Sequence, residues 1–138
     1  MKKQSLFITS LVIIGGLALM SMTLIKTYQE KPWDVPSKYV KMENPFAKAS
    51  DEDNIGRTLY TKHCKSCHGS KGLGDGTKAG SIDTKVPDFT SDSFKKETDG
   101  SLYYKTIFGR DDMPSFEKKI TDEEERWLIV NYIKSLAK

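Results

Sequence analysis

With 138 residues, the chain has material for one domain of common size. Its net charge of +3 conceals an asymmetry: residues 1–50 carry seven lysines against three acids, whereas residues 51–138 carry fifteen basic and sixteen acidic side chains. A second portion so nearly neutral excludes the clustered positive surface of a nucleic-acid binder.

Lys2 and Lys3 precede an uncharged run from Leu6 to Ile25. As a helix, that run would rise about 30 Å, the thickness of a bilayer's hydrocarbon core. Two lysines before an apolar segment favour a cytoplasmic N-terminus and an exported remainder. Gly16-Leu17-Ala18 offers a small-x-small cleavage pattern, but the apolar character continues past it to Ile25, further than a usual signal sequence. Residues 1–25 are therefore expected to be a retained single-pass anchor, with the rest on the extracytoplasmic side of the cytoplasmic membrane.

Residues 26–50 read as a linker, because Pro32, Pro36 and Pro45 interrupt helical backbone. Trp33, Tyr39 and Phe46 are unusual in a plain spacer, and packing on a neighbouring surface or a docking role is expected for them. A first helix is expected from about Ser50 to His63, with Ser50 and Asp53 forming a capping box. Gly56 and Tyr60 lie four apart on it, and the small glycine would let another helix approach. Residues 69–92 are glycine-rich, without the Gly-Lys-Ser/Thr end or the G-x-G-x-x-G spacing of phosphate-binding loops. A second helix is expected over about Gly100–Phe108, ended by Gly109. A third follows a capping box at Thr121 and Glu124 and carries Trp127, Leu128, Val130, Ile133 and Leu136. The fold class is all-α, with residues 51–138 as the domain. Its apolar inventory is thin for that size, which favours a large buried cofactor.

Cys64-Lys65-Ser66-Cys67-His68 is the strongest chemical signal. C-x-x-C-H is the spacing of c-type haem attachment. Each thiol can add across one vinyl group, and the imidazole that follows can coordinate the iron from one face. A structural zinc would need a second, separated ligand pair. A redox-active C-x-x-C would sit beside a βαβ pattern, and a disulfide across so short a loop stabilises little. For the iron's other face, elimination leaves Met113. The remaining methionines lie at positions 1, 20, 22 and 42, and His63 is tied to the attachment side. Pro114 would stiffen the backbone beside it, although a core methionine filling a gap is the plain alternative. Ligation by His68 and Met113 raises the reduction potential and fills both axial positions.

From about Ile55 to Leu136 the chain resembles class I cytochrome c, the mitochondrial and bacterial monohaem type. The matching residues are Gly56-x-x-x-Tyr60, Cys64-x-x-Cys67-His68-Gly69, the run Gly72-Leu73-Gly74-Asp75-Gly76, Gly109-Arg110-x-x-Met113-Pro114, and a last helix bearing Trp127 and Tyr132. The resemblance implies about three main helices around one covalent haem c, the first and last crossing at Gly56. It further implies that Pro87 offers its carbonyl to the His68 ring N–H and that Arg110 pairs with a haem propionate. Lys62, Lys65, Lys71, Lys118 and Lys119 would then ring the exposed haem edge. The Pro/Trp lead-in resembles that of membrane-bound monohaem subunits of bacterial respiratory complexes.

The expected function is single-electron transfer in a respiratory chain, as a tethered shuttle or a fixed subunit of a quinol-oxidising or dehydrogenase complex. Its partners would be such complexes, an oxidase or another cytochrome. A carrier breaks no substrate bond, so no enzyme activity is expected of the chain itself. The alternatives are a haem enzyme of peroxidase type, or a gas or redox sensor, with a displaceable Met113; a haem-free thiol–disulfide oxidoreductase is a third class.

Overall fold

The computed structural model describes residues 31–138. The expected anchor at residues 1–25 lies outside them, and among the described residues no helix is long and apolar enough to cross a membrane. Among the described residues six α-helices follow one another: α1 (Ser37–Val40), α2 (Ile55–His63), α3 (Lys65–His68), α4 (Asp92–Lys95), α5 (Asp99–Phe108) and α6 (Glu123–Leu136), with a 3-10 turn at Ala79–Ser81. The described residues hold a single isolated β-bridge, between Arg110 and Met113, so the architecture is helical as expected.

The three longest helices among the described residues are three that were read from the sequence, with shifted starts. Helix α2 begins at Ile55, not near Ser50, because Asn54 takes a left-handed conformation (φ 55°) and provides no side-chain cap. Asp51 caps the helix instead, its two carboxylate oxygens accepting from the Ile55 and Gly56 N–H groups at 2.7 and 2.9 Å. Such a carboxylate satisfies two orphan donors and meets the positive end of the helix dipole. Helix α5 is capped by Thr98, which accepts from Ser101 N–H at 3.1 Å. On α6 the cap is Asp122, accepting from Glu125 N–H at 3.0 Å, one residue beyond the expected Thr121–Glu124 pair.

Helices α2 and α6 cross where Gly56 meets the α6 backbone. A Cβ on Gly56 would lie 2.3 Å from the Leu128 carbonyl oxygen, so only glycine permits the approach. The crossing gathers Tyr60, Cys64, Phe89, Phe116, Ile120, Ile129 and Ile133 into one buried cluster. A second cluster joins α5 to α6 through Leu102, Tyr103, Ile107, Trp127 and Val130. Trp127 is thus a core residue; its indole N–H donates to Glu123, which also accepts from the Tyr103 hydroxyl.

The lead-in departs from the expected linker. Pro32–Lys138 form one compact unit, so the domain begins well before residue 51. Prolines at 32 and 36 do not prevent a single helical turn, α1, because Pro36 occupies its N-cap and loses no helical hydrogen bond there. Tyr39 packs on Tyr104 and Phe108, with ring centroids 4.8 and 5.5 Å away. The Asn131 side chain on α6 donates to the Phe46 carbonyl and accepts from Asn44. Gly100 lies directly under the Tyr39 and Met42 carbonyls, where a Cβ would be 1.9 and 2.8 Å from their oxygens. The aromatic residues noted in the lead-in are therefore packing residues of the domain.

Candidate functional site

Cys64 ends α2, its N–H donating to the Tyr60 carbonyl at 2.8 Å. The chain continues without a loop into α3, with Cys67 N–H and His68 N–H both donating to the Cys64 carbonyl, at 3.1 and 3.0 Å. The pentapeptide is thus wound as one helical turn, which brings the two sulfurs to one side at a fixed separation along the axis. Both thiols are free. Cys64 is 5% exposed, and burial, aided by the nearby Cys67, pushes its thiol up to about 12. Among the described residues no three His, Cys, Asp or Glu side chains converge as a metal site, whereas a zinc centre needs four ligands.

His68 follows directly, and burial lowers its imidazole to about 4. A ring that stays neutral is the form able to ligate a metal. It stacks on Phe89 with centroids 4.8 Å apart, and Phe89 in turn stacks on Phe94 at 4.4 Å. Phe89 is held by its N–H donating to the Gly72 carbonyl at 2.8 Å. This buttress was not legible in the sequence, where Phe89 is one aromatic in a polar loop with no periodic context. His68 Nδ1 is buried without a hydrogen-bond partner. The bond expected from the ring to the Pro87 carbonyl is therefore not formed; that carbonyl faces Gly74, 3.2 Å from where its Cβ would stand.

Met113 lies half-buried on a two-residue turn. Arg110 N–H donates to the Met113 carbonyl at 2.8 Å, and Met113 N–H returns the bond to the Arg110 carbonyl at 2.9 Å. Asp111 within the turn is left-handed (φ 52°), a conformation that Asp tolerates better than most residues. Asp112 accepts from Thr84 N–H at 2.8 Å, linking the turn to the loop that precedes Pro87. Three residues after Met113, Phe116 shares the buried cluster with Cys64 and lies 5.5 Å from the His63 ring. The Arg110 guanidinium, expected at a propionate, is engaged by Asp111 (Nε to Oδ2, 3.0 Å), by the Pro32 carbonyl (3.1 Å) and by the face of Trp33 (4.5 Å).

Two free thiols on one helical turn, followed directly by a buried imidazole that burial keeps neutral, make a donor set that fits a covalently held haem, with Met113 on a turn of the same domain. Residues 51–133 match the family model described as cytochrome C oxidase, cbb3-type, subunit III. The chain belongs to that family. It is a monohaem class I cytochrome c, carrying covalently bound haem c. No curated protein matches the cytochrome significantly. Among solved structures, it is similar to a chain of the reducing HAO-like protein complex of Kuenenia stuttgartiensis, with a TM-score of 0.58 and 29% identity. That likeness covers 80% of the cytochrome but 53% of the other chain. A c-type cytochrome transfers electrons, and this is the chain's general function.

Proposed function

We propose that the protein is an electron carrier of a respiratory chain, anchored by residues 6–25 with its haem domain on the extracytoplasmic face of the membrane. Cys64 and Cys67 would form the two thioether bonds, and His68 and Met113 would ligate the iron. The observation that carries this reading is the Cys64–His68 helical turn, which sets a buried neutral imidazole directly after two free thiols.

Bound in this way, the haem supplies a reversible one-electron Fe(III)/Fe(II) couple. The chain's own residues do the rest. Burial keeps the His68 ring neutral, and Phe89 fixes the plane of that ring. The two backbone bonds between Arg110 and Met113 limit where the thioether can go. With His68 and Met113 both engaged by the iron, the site would favour electron transfer over binding of oxygen or peroxide. The neighbour's membership of a multiprotein redox complex, together with the uncharged N-terminal segment, supports redox protein partners: a quinol-oxidising complex, a dehydrogenase, an oxidase or another cytochrome.

Purification from membranes of a host with haem-attachment machinery tests the proposal. A denaturing gel stained for haem should label the wild type and lose the label in a Cys64→Ala/Cys67→Ala double variant. The oxidised protein should show a methionine-to-iron charge-transfer band that is absent from Met113→Ala. A reduced spectrum that changes at once with carbon monoxide would overturn the carrier reading.

A further inference from the structure

The Met113 turn is tied to the lead-in through one side chain. Arg110 forms the opening position of the turn, exchanging both backbone bonds with Met113. Its guanidinium lies 4.5 Å from the centre of the Trp33 ring and donates through Nη1 to the Pro32 carbonyl at 3.1 Å. The Lys105 ammonium stands 5.9 Å from the same ring while pairing with Glu97. Trp33 is half-buried between two cations that belong to the end of α5 and the start of the turn. A planar guanidinium on an indole face is the strongest common form of cation–π contact, because the ring's negative face meets a weakly hydrated cation.

Behind Trp33 the lead-in is fixed along its length. Thr98 donates to the Val40 carbonyl at 3.1 Å, Tyr39 packs on α5, and Asn44 and Phe46 are bonded to Asn131. Trp33 therefore sits near the start of an anchored segment and presses on the one residue that closes the methionine turn. Besides its two backbone bonds, the turn is held by Asp112 accepting from Thr84 N–H at 2.8 Å and by the Arg110–Asp111 ion pair, both at exposed carboxylates, and Asp111 is left-handed.

We propose that Trp33 is a positioning residue for Met113, acting through Arg110 to keep the thioether in its ligating place; this rests on the assignment of Met113 to the iron. Removing the indole takes away one of several contacts of the guanidinium, which keeps Asp111 and the Pro32 carbonyl, and the less firmly held turn opens more often. An outside ligand for the iron then competes against a methionine that is less firmly held. The lead-in, on this account, sets how readily the sixth ligand yields.

The test is imidazole titration of the oxidised, full-length holoprotein, read by the methionine-to-iron charge-transfer band. Trp33→Ala should bind imidazole about tenfold more tightly than the wild type, the ratio expected for loss of one partly desolvated cation–π contact. Trp33→Phe, which keeps an aromatic face, should stay within about threefold of the wild type. Arg110→Gln should reproduce the Trp33→Ala result, and it carries the test if Trp33→Ala does not fold. Equal affinity in wild type, Trp33→Ala and Arg110→Gln would overturn the proposal. A wild type without the band, and indistinguishable from Met113→Ala, would overturn the ligand assignment beneath it.

Discussion

Replacing Gly56 by alanine places a methyl group 2.3 Å from the Leu128 carbonyl oxygen and 2.8 Å from its carbon. Ordinary van der Waals contact begins near 3.4 Å, so about 1 Å of separation has to be found. The obstructing atoms are backbone, and no rotamer change can move them aside. Either α2 or α6 must shift, opening a gap beside Tyr60, Ile129 and Ile133, which share the same buried cluster. Such overpacking costs about 1–3 kcal/mol, and a rigid backbone obstacle puts this site at the upper end. Alanine returns about 1 kcal/mol through its better helix propensity. The net loss should be about 2 kcal/mol, or roughly 8–16 °C in Tm for a domain of this size. Denaturant unfolding of the holoprotein, followed by haem absorbance, measures it directly. Gly80→Ala is the matched control, because a Cβ there meets nothing within 4 Å, and it should be neutral or slightly stabilising. Wild-type stability in Gly56→Ala, or an equal loss in Gly80→Ala, would refute the argument.

Tyr60→Phe leaves the buried Gly69 carbonyl without the hydroxyl that now donates to it at 2.7 Å, and should cost about 1–3 kcal/mol by the same unfolding assay. Gly100→Ala should detach the Tyr39–Met42 backbone, seen as faster amide exchange there, while α2 and α6 keep their protection. Asp51→Ala removes the double cap on α2 and should destabilise the fold by about 0.5–2 kcal/mol. The Asp88 carboxyl is held below its usual value of 3.8 by the Thr90 hydroxyl and N–H, with Lys95 adding to the effect. Its stabilising contribution is therefore complete above that ordinary value and is lost as pH falls through the lower folded value; Asp88→Asn should flatten this part of an acid-unfolding curve.

Much of this cytochrome is written in short stretches of sequence, and much is not. Cys64, Cys67 and His68 were legible because their geometry closes within one helical turn, where the spacing of residues dictates the spacing of atoms. The bodies of α2, α5 and α6 were legible from apolar periodicity, and Gly56 from its place on the first of them. Caps were read less well: Asp51 replaced Ser50 and Asp122 replaced Thr121, since several polar residues in a row can cap and local packing selects one. Pro87 was expected at the His68 ring, yet its carbonyl faces Gly74.

Three features were decided by tertiary structure alone. The lead-in joined the domain because Tyr39 found α5 and Phe46 found Asn131, the latter 85 positions away. Phe89 became the wall of His68 through a loop contact with Gly72. Arg110 met Pro32 across 78 residues and so tied the methionine turn to Trp33. Attachment chemistry is local and depends on the order of neighbouring residues. The support around it comes from segments far apart in the chain, whose meeting depends on how all the helices pack.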